Sequence, residues 1–336
     1  MTYTTNIAIL GAGHIAQKMA TTIIDMENDE RWSGKVNLYA VATHDSQDRA
    51  DEFAGHFGID NAFGTYAALL DDPEVDLVYV ATPHAMHAQQ AIACMEAGKH
   101  VLVEKAFTAN AEQARAVISK SKETGLTCVE AIWTRFLPTR HLINAIINSG
   151  KIGEIVSISA NLSYPMAHKE RLVKSELAGG ALLDVGVYPL NFIAMATDNA
   201  DIDHIVTSAR LSSQGVDEIS QSTFWLDDGI MASMTTSYHE VGDRCGFIRG
   251  TRGLIRVENI NNPEKIMVLD KNYVVVEEVD IPGQLTGFEY EVDATIKAIA
   301  HGDIETQEMP HSETLRIMTI CDELREKWGM VYPFEK

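Results

Sequence analysis

Residues 9–20 read ILGAGHIAQKMA, and this stretch constrains the fold more than any other. An apolar run, Asn6 to Leu10, stops at Gly11, and a helical pattern, HIAQKMATTIIDM, begins at His14. Between them Gly11, Gly13 and Ala16 keep the spacing G-x-G-x-x-A. Gly11 permits a tight turn, Gly13 lets backbone approach a bulky anion, and Ala16 allows helix and strand to pack closely. The helix N-terminus then offers unpaired N–H groups and the positive end of its dipole. Glycine patterns alone arise by chance, and a purely structural glycine turn is the competing reading. The strand before and the helix after favour a site for the pyrophosphate of a dinucleotide.

Further strands follow at regular intervals. NLYAVAT (37–43), VDLVYVATP (75–83), HVLVEK (100–105) and LTCVEA (126–131) are short apolar runs, separated by helical stretches over 46–57, 87–97 and 111–124. Runs apolar on both faces, alternating with helices, predict a parallel sheet covered on both sides. After Ala131 the pattern changes. A helix is expected over 138–149, and from Asp203 strand follows strand, with turn signals at Asp228-Gly229 and Asn262-Pro263. Helices are then expected over 288–300 and 312–328, the second capped by Ser312 and Gly329. A chain of 336 residues exceeds what one core usually supports. The expected class is therefore α/β: an N-terminal Rossmann, doubly wound parallel sheet over residues 1–127, then an α+β domain with a large open, mainly antiparallel sheet over 128–336. Few helices remain to cover that second sheet. A second copy of the same sheet is the expected cover, making a homodimer. The alternative is a solvated face of short polar side chains such as Thr235, Thr236 and Ser237.

Charge limits the partners. With 27 basic and 48 acidic side chains the formal net charge is −21, which disfavours nucleic acid and anionic membrane surfaces. A phosphate-bearing small molecule stays compatible, because local N–H groups override net charge. Cys94, Cys128, Cys245 and Cys321 lie far apart and are expected as free thiols in a reducing cytoplasm. No continuous apolar run reaches the ~18 residues of a membrane span, and no basic-then-apolar leader follows Met1. The expected location is cytoplasmic.

The end of the second strand chooses the cofactor: a carboxylate there holds the adenosine ribose, whereas a cation welcomes a 2′-phosphate. Thr43 and His44 stand at that tip, with Asp45 beyond, so NADP is expected and NAD is the alternative. Glu104-Lys105 ends a later strand, on the rim where the reacting end of the cofactor belongs. A solvated strand end is the plain alternative. In GGALLDVGVYPL (179–190) paired glycines mark a sharp backbone path, and Asp184 and Tyr188 share one face of a helix starting near Asp184. A half-buried packing tyrosine is the alternative for Tyr188. His84 and His87 lack an acid or cysteine to complete a ligand set, so no metal is expected.

Together GAGHIA, VATPHAMH, AGKHVLVEKAFT, EAIWTRFLP and GGALLDVGVYPL resemble the glucose-fructose oxidoreductase/inositol dehydrogenase (Gfo/Idh/MocA) superfamily. Within it the chain is most similar to the dimeric dihydrodiol dehydrogenase and NADP-linked xylose dehydrogenase branch. The likeness runs over essentially the whole chain, including GFEYEVDATIKAIAHG. It implies a dehydrogenase or reductase acting on a CH–OH group of a sugar, polyol or cyclic diol, and dimerisation through the C-terminal sheet. It implies that Lys105, from the E-K-P motif, and Tyr188, with Asp184 from the D-x-x-x-Y/H motif, flank the nicotinamide. Tyr188 would be the acid/base, assisted by Lys105. Cofactor contacts are implied for Gly11, Gly13, His14, Ile15, Ala16, Thr43, His44, Thr82, Pro83, His87, Glu104 and Lys105. Substrate lining is implied for Trp133, Arg135, Phe136 and Tyr188, with core packing the alternative for the aromatics. Three positions depart from the pattern. Ala106 replaces the usual proline, releasing φ after Lys105; His44 stands where NADP-using relatives often carry arginine; Tyr188 replaces the histidine of many members.

The residue types suit the chemistry. A free tyrosine titrates near ~10, too high for a good base at neutral pH. A nearby ammonium favours the phenolate, and it can also hydrogen-bond a developing alkoxide. Asp184 is open to three roles: binding a second substrate hydroxyl, orienting Lys105, or capping a helix. Two rival readings are a non-catalytic NADP-binding sensor or scaffold, and an NAD-dependent glycosidase working by transient oxidation.

Overall fold

A computed structural model describes residues 4–336. The chain divides into two compact units: one runs to Ile132 and takes in Gln284–Leu315, the other comprises Trp133–Gly283 and Arg316–Lys336.

The first unit opens with β1 (Thr5–Leu10), α1 (His14–Asn28), β2 (Val36–Ala42) and α2 (Gln47–Phe57). It continues through β3 (Asn61–Phe63), α3 (Tyr66–Leu70), β4 (Leu77–Val80), α4 (His84–Glu96), β5 (His100–Glu104), α5 (Ala111–Thr124) and β6 (Cys128–Ala131). The six strands are parallel in the order β3-β2-β1-β4-β5-β6. Every residue of β4 and of Ala8–Leu10 is buried, which is why these strands read as unbroken apolar runs. Strand order reverses between β1 and β4, so the crevice outside their carboxyl ends is the topological switch point. Local chemistry fixes the helix ends: Ser46 caps α2 and Asn110 caps α5 through N–H bonds three residues on, and Gly58 and Gly125 end them left-handed. Neither β3 nor α3 is anticipated by sequence. Three half-buried residues, Asn61–Phe63, carry too little alternation to signal a strand.

The second unit contains α6 (Pro138–Asn148), β7 (Ile155–Ser163), the short α7 (Glu170–Val173), a π-helical turn (Leu182–Gly186) and α8 (Val187–Ala196). Then come β8 (Ile202–Leu211), β9 (Asp217–Leu226), β10 (Met231–Ser237), β11 (Gly246–Gly250), β12 (Gly253–Glu258), β13 (Lys265–Asp270) and β14 (Val275–Val279). Their order is β14-β13-β12-β11-β7-β10-β9-β8, antiparallel except for the β7–β10 pair. One face buries Ile158, Ala160, Leu162, Ala232, Met234 and Ile248, where α8 packs across β7, β10 and β11. That helix is almost wholly apolar because nine of its ten residues are buried. Ser175–Ala196 has the length and apolarity of a membrane span, but it lies inside this unit as its core helix. On the other face Val206, Trp225 and Met231 are exposed. Thr235 shares that face, whereas Thr236 is fully buried and pairs with Ser220 at 3.0 Å. Strand alternation forbids three consecutive residues on one face, which corrects the alternative of a solvated face made by Thr235, Thr236 and Ser237 together.

Two helices follow, α9 (Glu289–His301) and α10 (His311–Lys327), so Ser312 lies within the helix and does not cap it. Their placement revises the expected boundary, because 284–315 belongs with the first sheet. Contacts show why. α9 packs on α1 and β5; Trp32 Nε1 donates to Asp293 at 2.9 Å, and Thr22 and Thr286 share a hydroxyl bond at 2.7 Å. Cys128 N–H donates to Ile304 O, and the Cys128 carbonyl meets His311 Nε2 at 2.7 Å. The change of pattern at Ala131 marks where the chain leaves this sheet, and nothing periodic marks its return. All four cysteines are free and buried, and burial pushes the Cys94 thiol up to about 12.

α9 also brings Glu291, fully buried, toward Glu104, Glu130 and Glu289 of the same unit. Burial, reinforced by these three carboxylates, holds the Glu291 carboxyl well above its usual 4.5. The folded protein therefore keeps a proton that the unfolded chain releases. This stability is complete below the unfolded value and is lost as pH rises through the folded one. Glu291→Gln keeps the shape without the proton. Its melting temperature is expected to fall less than the parent's between pH 5 and 8, and parallel pH curves would refute the proton's role.

Candidate active site

The β1–α1 turn is built to meet an anion. Gly11 has φ +114°, and a Cβ there would lie 2.7 Å from the Ala81 carbonyl oxygen, so only glycine fits. Gly13, the N-cap residue of α1, has open space where its Cβ would point. No side chain of the N-cap residue Gly13 caps α1, and no acid stands in its first turn to oppose an anion there. His14 is exposed, Ile15 half-buried, and Ala16 is buried at the close helix–strand contact. These residues fit the pyrophosphate of a dinucleotide.

At the end of β2, Thr43 turns inward and donates its hydroxyl to Ser46 O at 2.5 Å. His44 is exposed, its ring meeting Tyr66 edge-on with centroids 5.7 Å apart. Burial raises the Tyr66 hydroxyl, and the positive charge of Arg49 opposes that rise. Arg49 and Tyr66 escaped the sequence reading; the available signal was a cation in the first turn of α2, three residues past its cap.

Two turns meet at the ends of β4 and β5. The Thr82 hydroxyl donates to Gln90. Behind Pro83, His87 is fully buried with its ring nitrogens 2.8 Å from Thr82 O and 2.9 Å from Ala106 O. Burial lowers its pKa, favouring the neutral ring, and a neutral imidazole donates to one of the two carbonyls. His87 thus ties the turn after β4 to the turn after β5, where sequence had it as a cofactor contact. Glu104 is also buried, accepting from the Tyr79 hydroxyl and, at 3.1 Å, from Lys105 N–H. Tyr79 belongs to β4 and is fully buried. Lys105 stands half-buried at the tip of β5, and the Lys105–Ala106 peptide is cis.

In the second unit the wider π-helical turn leads into α8, a geometry that recurs at functional sites. Asp184 is 2 % exposed and accepts from Arg171 Nη1 at 2.5 Å. It is not the helix cap. That role falls to Asp217 at the start of β9, whose Oδ2 accepts from Leu182 N–H at 2.8 Å. Burial pushes the Asp217 carboxyl up to about 7, against the pull of that N–H. Tyr188, one turn after Asp184, is 8 % exposed.

Arg135, expected against substrate, is 1 % exposed, with Nε on Asn191 Oδ1 at 2.5 Å and Nη1 on Asn199 Oδ1 at 3.3 Å. It fastens the Trp133–Arg135 turn to α8, and Phe136 is buried beside it in sequence. Trp133 remains half-buried.

Residues 5–131 match the oxidoreductase family GFO_IDH_MocA, with an NAD-binding Rossmann fold, and residues 141–256 match the GFO/IDH/MocA C-terminal domain. Trans-1,2-dihydrobenzene-1,2-diol dehydrogenase of Mus musculus is 28% identical over 338 residues, 98% of each chain. D-xylose 1-dehydrogenase (NADP(+)) of Hypocrea jecorina is 33% identical over 333 residues, covering 88% of this chain and 84% of that one. A solved 3-ketoreductase from Actinomadura kijaniata, in complex with NADP and TDP-benzene, has a TM-score of 0.85 at 25% identity and covers 96% of this chain and 97% of its own. The chain belongs to the GFO/IDH/MocA family of oxidoreductases.

Proposed function

We propose that the protein is an NADP-dependent oxidoreductase that exchanges hydride between the nicotinamide and a secondary alcohol or hemiacetal of a sugar, polyol or cyclic diol. One arrangement carries the reading. Along a single sheet edge of the first unit stand His44 after β2, the uncapped Gly11–Gly13 turn after β1, Thr82 after β4 and Lys105 after β5. Neighbouring strands lie ~4.8 Å apart, so the row from β2 to β5 spans about 14 Å. An extended dinucleotide can cover that span with its phosphates over the switch point.

When bound, NADP supplies the hydride acceptor or donor. The side chains do the rest. Tyr188 takes the hydroxyl proton during oxidation and returns it during reduction. Lys105 donates a hydrogen bond to the same substrate oxygen and stabilises its developing charge. Asp184, its orientation fixed by Arg171, accepts from a neighbouring hydroxyl. Trp133 offers an apolar surface to the ring.

A panel of aldoses, inositols and cyclic diols, assayed separately with NADP and NAD, tests the reading. Reduced cofactor is expected with at least one class. Preference for NADP is expected from His44 beside Tyr66, from the positive charge of Arg49 in the first turn of α2, and from the lack of a carboxylate at the tip of β2. Cofactor that copurifies and turns over without net reduction would instead support a glycosidase, and inertness across the panel a sensor. The second sheet supports self-association: Val206, Trp225 and Met231 are exposed on one face of it. A dimer is the expected species in sedimentation, and a monomer at micromolar concentration would exclude it.

A further inference from the structure

The turn carrying Asp184 and Tyr188 begins at Gly179-Gly180, two residues with no side chain to anchor it. Both glycines are required by close packing. A Cβ on Gly179 would lie 2.6 Å from Leu172 O, and one on Gly180, at φ +116°, would collide with Asp217 Oδ1. Two buried groups from distant parts of the chain hold this turn. Asp217 Oδ2 accepts the Leu182 N–H at 2.8 Å, one of the first-turn donors that a helix cannot satisfy itself. The Tyr332 hydroxyl donates to Gly179 O at 2.7 Å. Neither side chain is exposed at all.

Tyr332 is itself clamped. The Arg325 guanidinium lies 4.5 Å above its ring and forms two parallel bonds of 2.9 Å to the Glu335 carboxylate. The same guanidinium bonds Asp322 at 2.8 Å. Glu335 in turn accepts from Tyr332 N–H at 2.9 Å. The segment Tyr332–Glu335 is thereby folded onto the end of α10 with its phenol directed at the glycine pair. Bidentate arginine pairs fix geometry as well as adding strength, and a buried hydroxyl deprived of its acceptor is costly. None of Tyr332, Arg325 and Asp217 is among the site residues expected from the sequence.

We propose that Asp217 and the Arg325-clamped Tyr332 are positioning residues that set the Asp184–Tyr188 turn for catalysis. The catalytic half of this proposal rests on Tyr188 being the acid/base; the structural half does not. The test uses the full chain with Tyr332→Phe, Asp217→Ala and Asp217→Asn. Steady-state kinetics are read beside hydrogen exchange of the 179–188 amides in the substrate-free protein. Losing one neutral hydrogen bond corresponds to roughly five- to tenfold, so Tyr332→Phe is expected to lower kcat by about that factor. The KM for NADP should stay unchanged and exchange at 180–184 should quicken. Asp217→Ala should do the same more strongly, and Asp217→Asn, which retains an acceptor oxygen, should recover most of the loss.

Unchanged exchange in Tyr332→Phe and Asp217→Ala would overturn the tie itself. Faster exchange with kcat within twofold of the parent would overturn the positioning role. If Asp217→Ala does not fold, Tyr332→Phe, which keeps the ring under Arg325, decides alone. Exchange is read without substrate, so failure of the tie is distinguishable from failure of Tyr188 as the acid/base.

Discussion

Tyr188→Phe is expected to lower turnover by a hundredfold or more, the range over which a positioned general acid or base contributes. Binding of NADP should remain as in the parent. The substitution removes one hydroxyl from a residue 8 % exposed in a helix that is buried at nine of its ten positions. The ring, and with it the packing of α8 on the sheet, is retained. A fall in kcat therefore reports on the proton and not on the fold, and an unchanged melting temperature checks that separation. The NADP contacts proposed here, Gly11, Gly13 and His44, lie in the first unit, where this variant alters nothing. A calorimetric titration should return the parent affinity. Turnover within a few-fold of the parent would remove Tyr188 from the mechanism and leave it as a packing tyrosine.

Sequence made the first sheet legible because its signals are local. A strand, two glycines and a helix appear in eleven residues, and each later strand announces itself by burial on both faces. The active-site neighbourhood was legible only as far as the motifs reach. Asp184 and Tyr188 stand out as a pair, but Arg171 lies 13 residues before Asp184 and Asp217 lies 35 after Leu182. Such partners are chosen by the folded path, and no periodicity encodes them. Arg135 shows the opposite error. A cation between two aromatics suggests a ligand contact, yet its guanidinium is spent on Asn191, 56 residues away. Buried arginines of this kind are paired, and the pair is visible only in three dimensions.

The Glu104-Lys105 pair also comes apart under this view. Glu104 points into the interior, bonded to Tyr79, while its backbone neighbour stays at the rim. Alternation along a strand sends successive side chains to opposite faces, so an adjacent acid and base need not act as a pair. Ala106 stands where the family resemblance implies a proline, so no ring fixes the backbone there. In its place the Ala106 carbonyl is met by His87 at 2.9 Å, and Glu104 accepts the Lys105 N–H. The side chains of His87 and Glu104 hold the turn.

That arrangement makes Lys105→Met a clean test. Methionine matches lysine in length and removes the ammonium, and the bonds from His87 to Ala106 O and from Lys105 N–H to Glu104 use main-chain atoms of 105 and 106 that the substitution keeps. Removing a donor aimed at developing negative charge costs ~10²–10³ in kcat, and this is the loss expected with the best substrate of the panel. The KM for NADP should change by less than a few-fold, because the phosphate contacts are proposed at the β1–α1 turn and the end of β2. Lys105→Arg is not expected to restore activity: a planar guanidinium cannot take the position of a compact ammonium at a crowded rim. Retention of more than a tenth of parental turnover by Lys105→Met would sink the assignment. An equal loss of NADP affinity would instead make Lys105 a cofactor anchor, and Tyr188 would then have to manage the alkoxide alone.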